Sequence, residues 1–367
     1  MQNLQGNMLE VPLITPNHFL EIFEEEYRNT PPKEARPVMI WGAPGIGKSD
    51  TVRTLAKRLE KIHNKPYYIR DVRLSLYNPV DLKGIPYPDK EKNITNWLKP
   101  DIFVMPEEEN VGNIIFFDEL SNATPSVAAA TYQIILDRQI ANHKLPDNCY
   151  IICAGNRMSD KSATYKMPSP LANRLMHFEF APSLISWKAW AFAQENFDRR
   201  VISFLNFKPQ LLFGYVPGMN EVAFPTPRSW AAVAKLIYNR EATKLTPLIE
   251  ANIGRNTALE FITFLKVYDQ LPSIEDIASG KDVPIPERAD VVYAISGSLV
   301  SFLETVDKDD LACMENITQY ILKMKPEFQA ATFSEIGNSD ALFMKLYHSE
   351  SFKKWIDANE KLLSINE

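Results

Sequence analysis

The octapeptide Gly42-Ala43-Pro44-Gly45-Ile46-Gly47-Lys48-Ser49 sets two glycines, a lysine and a hydroxyl at the spacing GxxxxGK[ST], with a third glycine, Gly45, between them. Glycine at those positions lets backbone N–H groups turn inward, and with the N-terminus of a following helix they make a nest for an anion. Lys48 then reaches the β and γ phosphates of a nucleoside triphosphate, and Ser49 offers its hydroxyl to Mg2+. The expected nucleotide-binding segment is 42–50, ending at Asp50, where the helix begins.

A second constellation follows downstream. Ile114-Ile115-Phe116-Phe117-Asp118-Glu119 is four apolar residues closed by two acids, so a buried strand delivers both carboxylates at its C-terminal edge, where open α/β sheets bind their ligands. Adjacent acids can divide the work: Asp118 holds the metal, directly or through water, and Glu119 orients and deprotonates the attacking water.

These groups need a scaffold. Apolar runs at 38–41, 67–71, 113–117, 150–154 and 176–180 alternate with helical patterns, the signature of a parallel sheet covered by helices. The loop follows the run 38–41 and precedes a helical segment at 50–61. Thr124 and Pro125 suit an N-cap and first helical position for a helix after the acids. Beyond residue 180 the texture changes to apolar spacings of three and four at 187–196, 229–238 and 257–268, which predict helices. The fold class is therefore α/β: a P-loop NTPase αβα sandwich with a parallel sheet, followed by an α-helical lid and a further helical C-terminal unit. The expected boundaries are 1–182, 183–272 and 273–367, the last set by a Pro-rich passage at 271–286.

Composition excludes several classes. An apolar fraction of 45% supports a substantial core, and no run of about eighteen apolar residues predicts a membrane span, which points to a cytoplasmic protein without membrane insertion. The net charge of -6 disfavours a protein that coats nucleic acid, because phosphate binding is driven by clustered Lys and Arg. Acidic runs at 24–26 and 107–109 are expected to be solvated surface. Cys149, Cys153 and Cys313 form neither a disulfide framework nor a zinc set and are expected to be buried thiols.

The sequence resembles the AAA+ ATPases, and within them the MoxR-like branch related to the ATPase subunits of magnesium and cobalt chelatases. Two stretches carry the likeness: 118–125 (Asp-Glu-Leu-Ser-Asn-Ala-Thr-Pro) with 136–140, similar to that branch's Walker B region, and 163–168 with 171–175, similar to its segment after sensor 1. It covers about residues 36–270. The resemblance implies ATP and Mg2+ as ligands, Asn156 as sensor 1, and Arg174 as an arginine finger reaching a neighbouring subunit's γ-phosphate. It also implies Arg228 as sensor 2. Locally, Thr226 and Pro227 put Arg228 in the first turn of a helix, where a cation is disfavoured unless an anion compensates it. Arg157, beside Asn156, suits a structural ion pair.

The same resemblance implies a homo-oligomeric ring, hexameric in the family, that remodels or assembles a protein partner in a chaperone-like way, with von Willebrand A domain proteins as the clients of that branch. It makes the stretch between residues 71 and 113 an insert carrying a hairpin toward the ring's pore, and 139–148 suggests a second hairpin. Two other readings stay open on sequence alone: a nucleic acid motor, which needs a basic pore, and a scaffold that binds ATP without hydrolysing it.

Overall fold

Each of the five apolar runs becomes a strand, and the pairing between them explains how residues far apart in sequence meet. The computed structural model describes residues 11–157, 160, 167–218, 221–268 and 271–363. They form two compact units, 11–183 with 216–218, and 184–215 with the described residues from 221 onward.

In the first unit the chain runs β1 (Leu13–Ile14), α1 (Pro16–Asn29), β2 (Val38–Trp41), α2 (Lys48–His63), β3 (Tyr67–Arg73) and α3 (Pro79–Lys83). The hairpin β4 (Pro86–Asp89) and β5 (Ile94–Trp97) follows, then β6 (Gly112–Asp118) and α4 (Pro125–Asp137). A short hairpin of β7 (Gln139–Ile140) and β8 (His143–Lys144) precedes β9 (Cys149–Gly155), α5 (Ser169–Ala172) and β10 (Met176–Phe180). Both predicted hairpins are present and antiparallel.

The six-stranded sheet has the order β1-β10-β2-β9-β6-β3, and every pairing in it is parallel. Its central strands β2, β6 and β9 are buried along their whole length, which is why they read as continuous apolar runs rather than alternating ones. Helix α1 was not marked out by the sequence pattern. Thr15 caps it by accepting from the His18 N–H at 3.3 Å, Pro16 opens it, and its buried face of Phe19, Phe23 and Tyr27 covers the sheet. Tyr27 stacks on Tyr150 of β9 with ring centroids 3.8 Å apart. Cys149 and Cys153 are buried free thiols in the same strand.

The second unit is helical: α6 (Leu184–Phe192), α7 (Arg200–Phe207), α8 (Pro227–Ile237), α9 (Thr246–Ile253), α10 (Arg255–Tyr268), α11 (Ile274–Ala278), α12 (Ala289–Thr305), α13 (Leu311–Leu322), α14 (Pro326–Gly337), α15 (Asp340–Leu346) and α16 (Glu350–Leu363). The predicted helix at 187–196 begins earlier and stops at Phe192, where i→i+3 bonds tighten the chain toward Asn196 in a left-handed conformation. Trp230 is fully buried against Phe204 and Phe261, and its indole N–H donates to the Leu211 carbonyl at 2.8 Å. Helices on either side of the Pro-rich passage pack into one unit, since Phe192 and Leu271 lie against both of its apolar clusters.

Candidate functional site

Three neighbouring parallel strands, β2, β9 and β6, end on one edge of the sheet, and their next residues form the site. From β2 the chain enters the glycine loop. Gly45 and Gly47 have φ of 79° and 102°, values that side chains with a Cβ rarely adopt, and Gly47 sits at the N-cap of α2. A Cβ added to Gly47 would meet nothing within 4 Å, so the loop presents open backbone at the helix N-terminus.

Lys48 is buried, and its ammonium donates to the carbonyls of Gly42 (2.7 Å) and Ala43 (3.1 Å) and to Asn156 Oδ1 (3.1 Å). Sensor candidate Asn156, one residue past β9, thus lies between the other two strand ends, and its N–H donates to Ser121 Oγ at 2.9 Å. Ser49 Oγ donates to Asp118 Oδ2 at 2.8 Å, joining the phosphate loop to the end of β6. Asp118 is buried, and its other oxygen accepts the Glu119 N–H at 2.8 Å. Asp50, by contrast, is exposed and turns to Arg53 (3.3 Å), which also bonds Asp71 (2.8 Å).

Glu119 has a left-handed backbone with φ of 58°. Its carboxylate accepts from Ser75 Oγ and lies 3.9 Å from Arg73 Nε. The register makes this possible: β3 pairs with β6 so that Arg73 stands opposite Asp118, and the chain continuing from β3 runs alongside Glu119. Neither Ser75 nor Ser121 was singled out from sequence. Ser75 lies in no motif, and its relevance depends on which strand borders β6.

The residues fit a magnesium-bound triphosphate. Ser49 and Asp118 are hard oxygen donors side by side, the kind of ligand magnesium takes, and the open loop amides with Lys48 suit phosphate oxygens.

The predicted arginines divide. Arg157 bonds Asp160 at 2.9 Å and Glu179 at 2.6 Å, both buried acids, and so forms the structural ion pair expected as one of its roles. Burial works against its charge, but those two hydrogen bonds prevail and raise its pKa above the ordinary arginine range. Arg174 is exposed and makes no side-chain hydrogen bond or ion pair among the described residues. It precedes β10, whose Met176 pairs with Val38 at the start of β2, whereas the phosphate loop leaves the other end of that strand. With a rise of about 3.3 Å per residue, β2 alone separates the two by roughly 13 Å. Arg228 lies in the second unit, exposed in the first turn of α8, which Thr226 caps by accepting from the Ser229 N–H at 3.1 Å. Of the stretch 163–168, residues 163–166 lie outside the described residues.

Residues 37–174 match the family model of the AAA domain, dynein-related subfamily. With the parallel sheet and its phosphate loop, that match decides the architecture. The first unit has the AAA+ P-loop fold. The AAA+ match ends at residue 174, so the helical second unit lies outside it. No curated protein matches the chain. Among solved structures, the chain is similar to PCH-2 of C. elegans at 15% identity, over 68% of this chain and 67% of that one, with a TM-score of 0.34. It is also similar to a DNA polymerase III gamma subunit-related protein of Thermotoga maritima (10% identity, 94% and 97% covered, TM-score 0.36) and to a RuvB mutant of Thermotoga maritima (17%, 77% and 79%, 0.33). No helix among the described residues is long and apolar enough to cross a membrane.

Proposed function

We propose that the protein binds Mg-ATP in its AAA+ unit and hydrolyses it as a subunit of a homo-oligomeric ring. The observation that carries this reading is the Ser49–Asp118 hydrogen bond, which joins the phosphate loop to the acid pair. Ser49 and Asp118 would hold magnesium, which would supply positive charge against the charge developing on the phosphate. The loop amides of residues 42–50 and Lys48 hold the phosphates. Glu119, once it exchanges the Ser75 hydroxyl for water, removes the proton from the nucleophile, and Asn156 steadies that water from the neighbouring strand end.

Arg174 acts on the next subunit. Its place at the opposite end of β2 from its own phosphate loop supports action in trans, and its exposed guanidinium suits a γ-phosphate presented by a neighbour. By the same resemblance, Arg228 serves as a second phosphate sensor. Following the MoxR-like resemblance, the ring is hexameric and cytoplasmic, and turnover drives remodelling of a protein client, with a von Willebrand A domain protein the first to try. A nucleic acid client is disfavoured by the net charge of -6.

The test compares two variants. Glu119→Gln keeps ATP binding and loses turnover by about 10²–10⁴-fold, whereas Lys48→Ala weakens binding itself. Near-native turnover in both would refute the assignment, and the Glu119→Gln protein with ATP serves as a trap to recover the client.

A further inference from the structure

The turn that carries Arg174 is held from outside at two consecutive carbonyls. His177 Nε2 donates to the Ala172 carbonyl at 2.8 Å, and Arg36 Nη2 donates to the Asn173 carbonyl at 2.7 Å. Ala172 closes α5, Asn173 follows it, and Arg174 is next. Within the turn, the Arg174 N–H bonds the Leu171 carbonyl at 2.9 Å, so fixing those peptide groups fixes where the guanidinium is offered.

The other nitrogen of His177 is also engaged. Trp41 Nε1 donates to His177 Nδ1 at 3.0 Å, with the two ring planes only 14° apart. An indole N–H only donates and a carbonyl only accepts, so both bonds together require the neutral imidazole protonated on Nε2. Trp41 is the last residue of β2, and Gly42 of the phosphate loop follows it.

We propose that His177, assisted by Arg36, is the positioning residue for Arg174, and that through Trp41 it ties the finger a subunit lends to its neighbour to the loop holding its own nucleotide. The inference rests on the trans role given to Arg174 above. His177 touches no substrate: it acts by orienting the Ala172 peptide, and Arg36 does the same for Asn173. A finger misplaced by about an ångström can cost a hundredfold in rate, which makes such anchoring worth two side chains.

The experiment uses the full-length protein and a mixing readout. His177→Phe keeps an aromatic ring but removes both hydrogen bonds, and the exposed Arg36→Ala removes the second anchor. Each is expected to bind ATP within about twofold of wild type and to lose turnover by about ten- to a hundredfold. Each should then regain activity when mixed with Glu119→Gln subunits, which lack the base but lend an intact finger. Arg174→Ala mixed with Glu119→Gln is the control and must behave likewise. Near-native turnover in His177→Phe or Arg36→Ala, beside an inactive Arg174→Ala, overturns the inference. So does loss without recovery on mixing, because the defect then lies in the subunit's own site. A fully active Arg174→Ala refutes the finger role, and the inference with it. Should His177→Phe fail to fold, Arg36→Ala decides by the same criteria.

Discussion

Ser49 Oγ donates to Asp118 Oδ2 at 2.8 Å, across 69 residues of sequence. The bond joins the first turn of α2 to the end of β6, and each partner offers a hard oxygen of the kind magnesium takes, the role proposed for them above. Ser49→Ala and Asp118→Asn are each expected to raise the magnesium concentration needed for half-maximal turnover by about 10–100-fold. If the two groups share one ion, as proposed, the double variant should lose less than the product of the single losses. Magnesium titrations of steady-state phosphate release measure this, and fully multiplicative losses would show that the residues act on separate events.

Glu119 stands at φ of 58°, a conformation in which a Cβ costs about 1–2 kcal/mol relative to glycine. The backbone that turns the carboxylate out of β6 is thus strained. Glu119→Gly and Glu119→Ala both lack the proposed base and should both be inactive, but the glycine variant is expected to be more stable by about 1 kcal/mol. Urea denaturation compares them, and an alanine variant as stable as the glycine one would mean the turn relaxes when the side chain is gone.

Much of this site can be read in the sequence because its parts are local. The phosphate loop is a contiguous motif, and the runs at 38–41, 113–117 and 150–154 lie in strands buried on both faces, where apolar residues follow one another without interruption. What escapes the sequence is set by strand order. Ser75 meets Glu119 only because β3 borders β6 in a register that puts Arg73 opposite Asp118, and Ser121 meets Asn156 only because β9 borders β6. Strand β1, two residues long, is too short to show any periodicity. Helix α1 was legible in retrospect from Thr15 and Pro16, a cap and a first helical position of the kind recognised at Thr226 and Pro227.

Arg157 joins two buried acids, Asp160 and Glu179, at 2.9 and 2.6 Å. Removing the guanidinium takes its charge and hydrogen bonds from two buried carboxylates, so Arg157→Ala is expected to destabilise the AAA+ unit by about 3–5 kcal/mol. Arg157→Lys should recover only part of this, since a single ammonium cannot reproduce the fork that bonds Asp160 through both Nε and Nη2. Thermal melting ranks the three proteins. A lysine variant equal to wild type would show that charge alone, without geometry, holds the pair.

Glu315 of α13 holds the start of α16. Its carboxylate accepts from Ser349 Oγ at 2.7 Å, the Ser351 N–H at 3.3 Å, the Ser351 hydroxyl, and Gln319 Nε2 at 3.0 Å. Burial acts to raise its pKa, but the hydrogen bonds from Ser351, Ser349 and Gln319 outweigh it and bring the value down to about 2. An unfolded glutamate titrates near about 4.3, so the folded state favours the ionised form. The resulting stabilisation is fully present above about pH 4.3 and drains away as the pH falls toward the folded value, because protons then bind the unfolded chain first. Glu315→Gln removes this dependence. The urea midpoint of the helical unit, followed by circular dichroism, should therefore lie below wild type near about pH 6 and converge toward it near about pH 2 to 3. A gap that stays constant across that range would mean the carboxylate contributes through packing rather than through its charge.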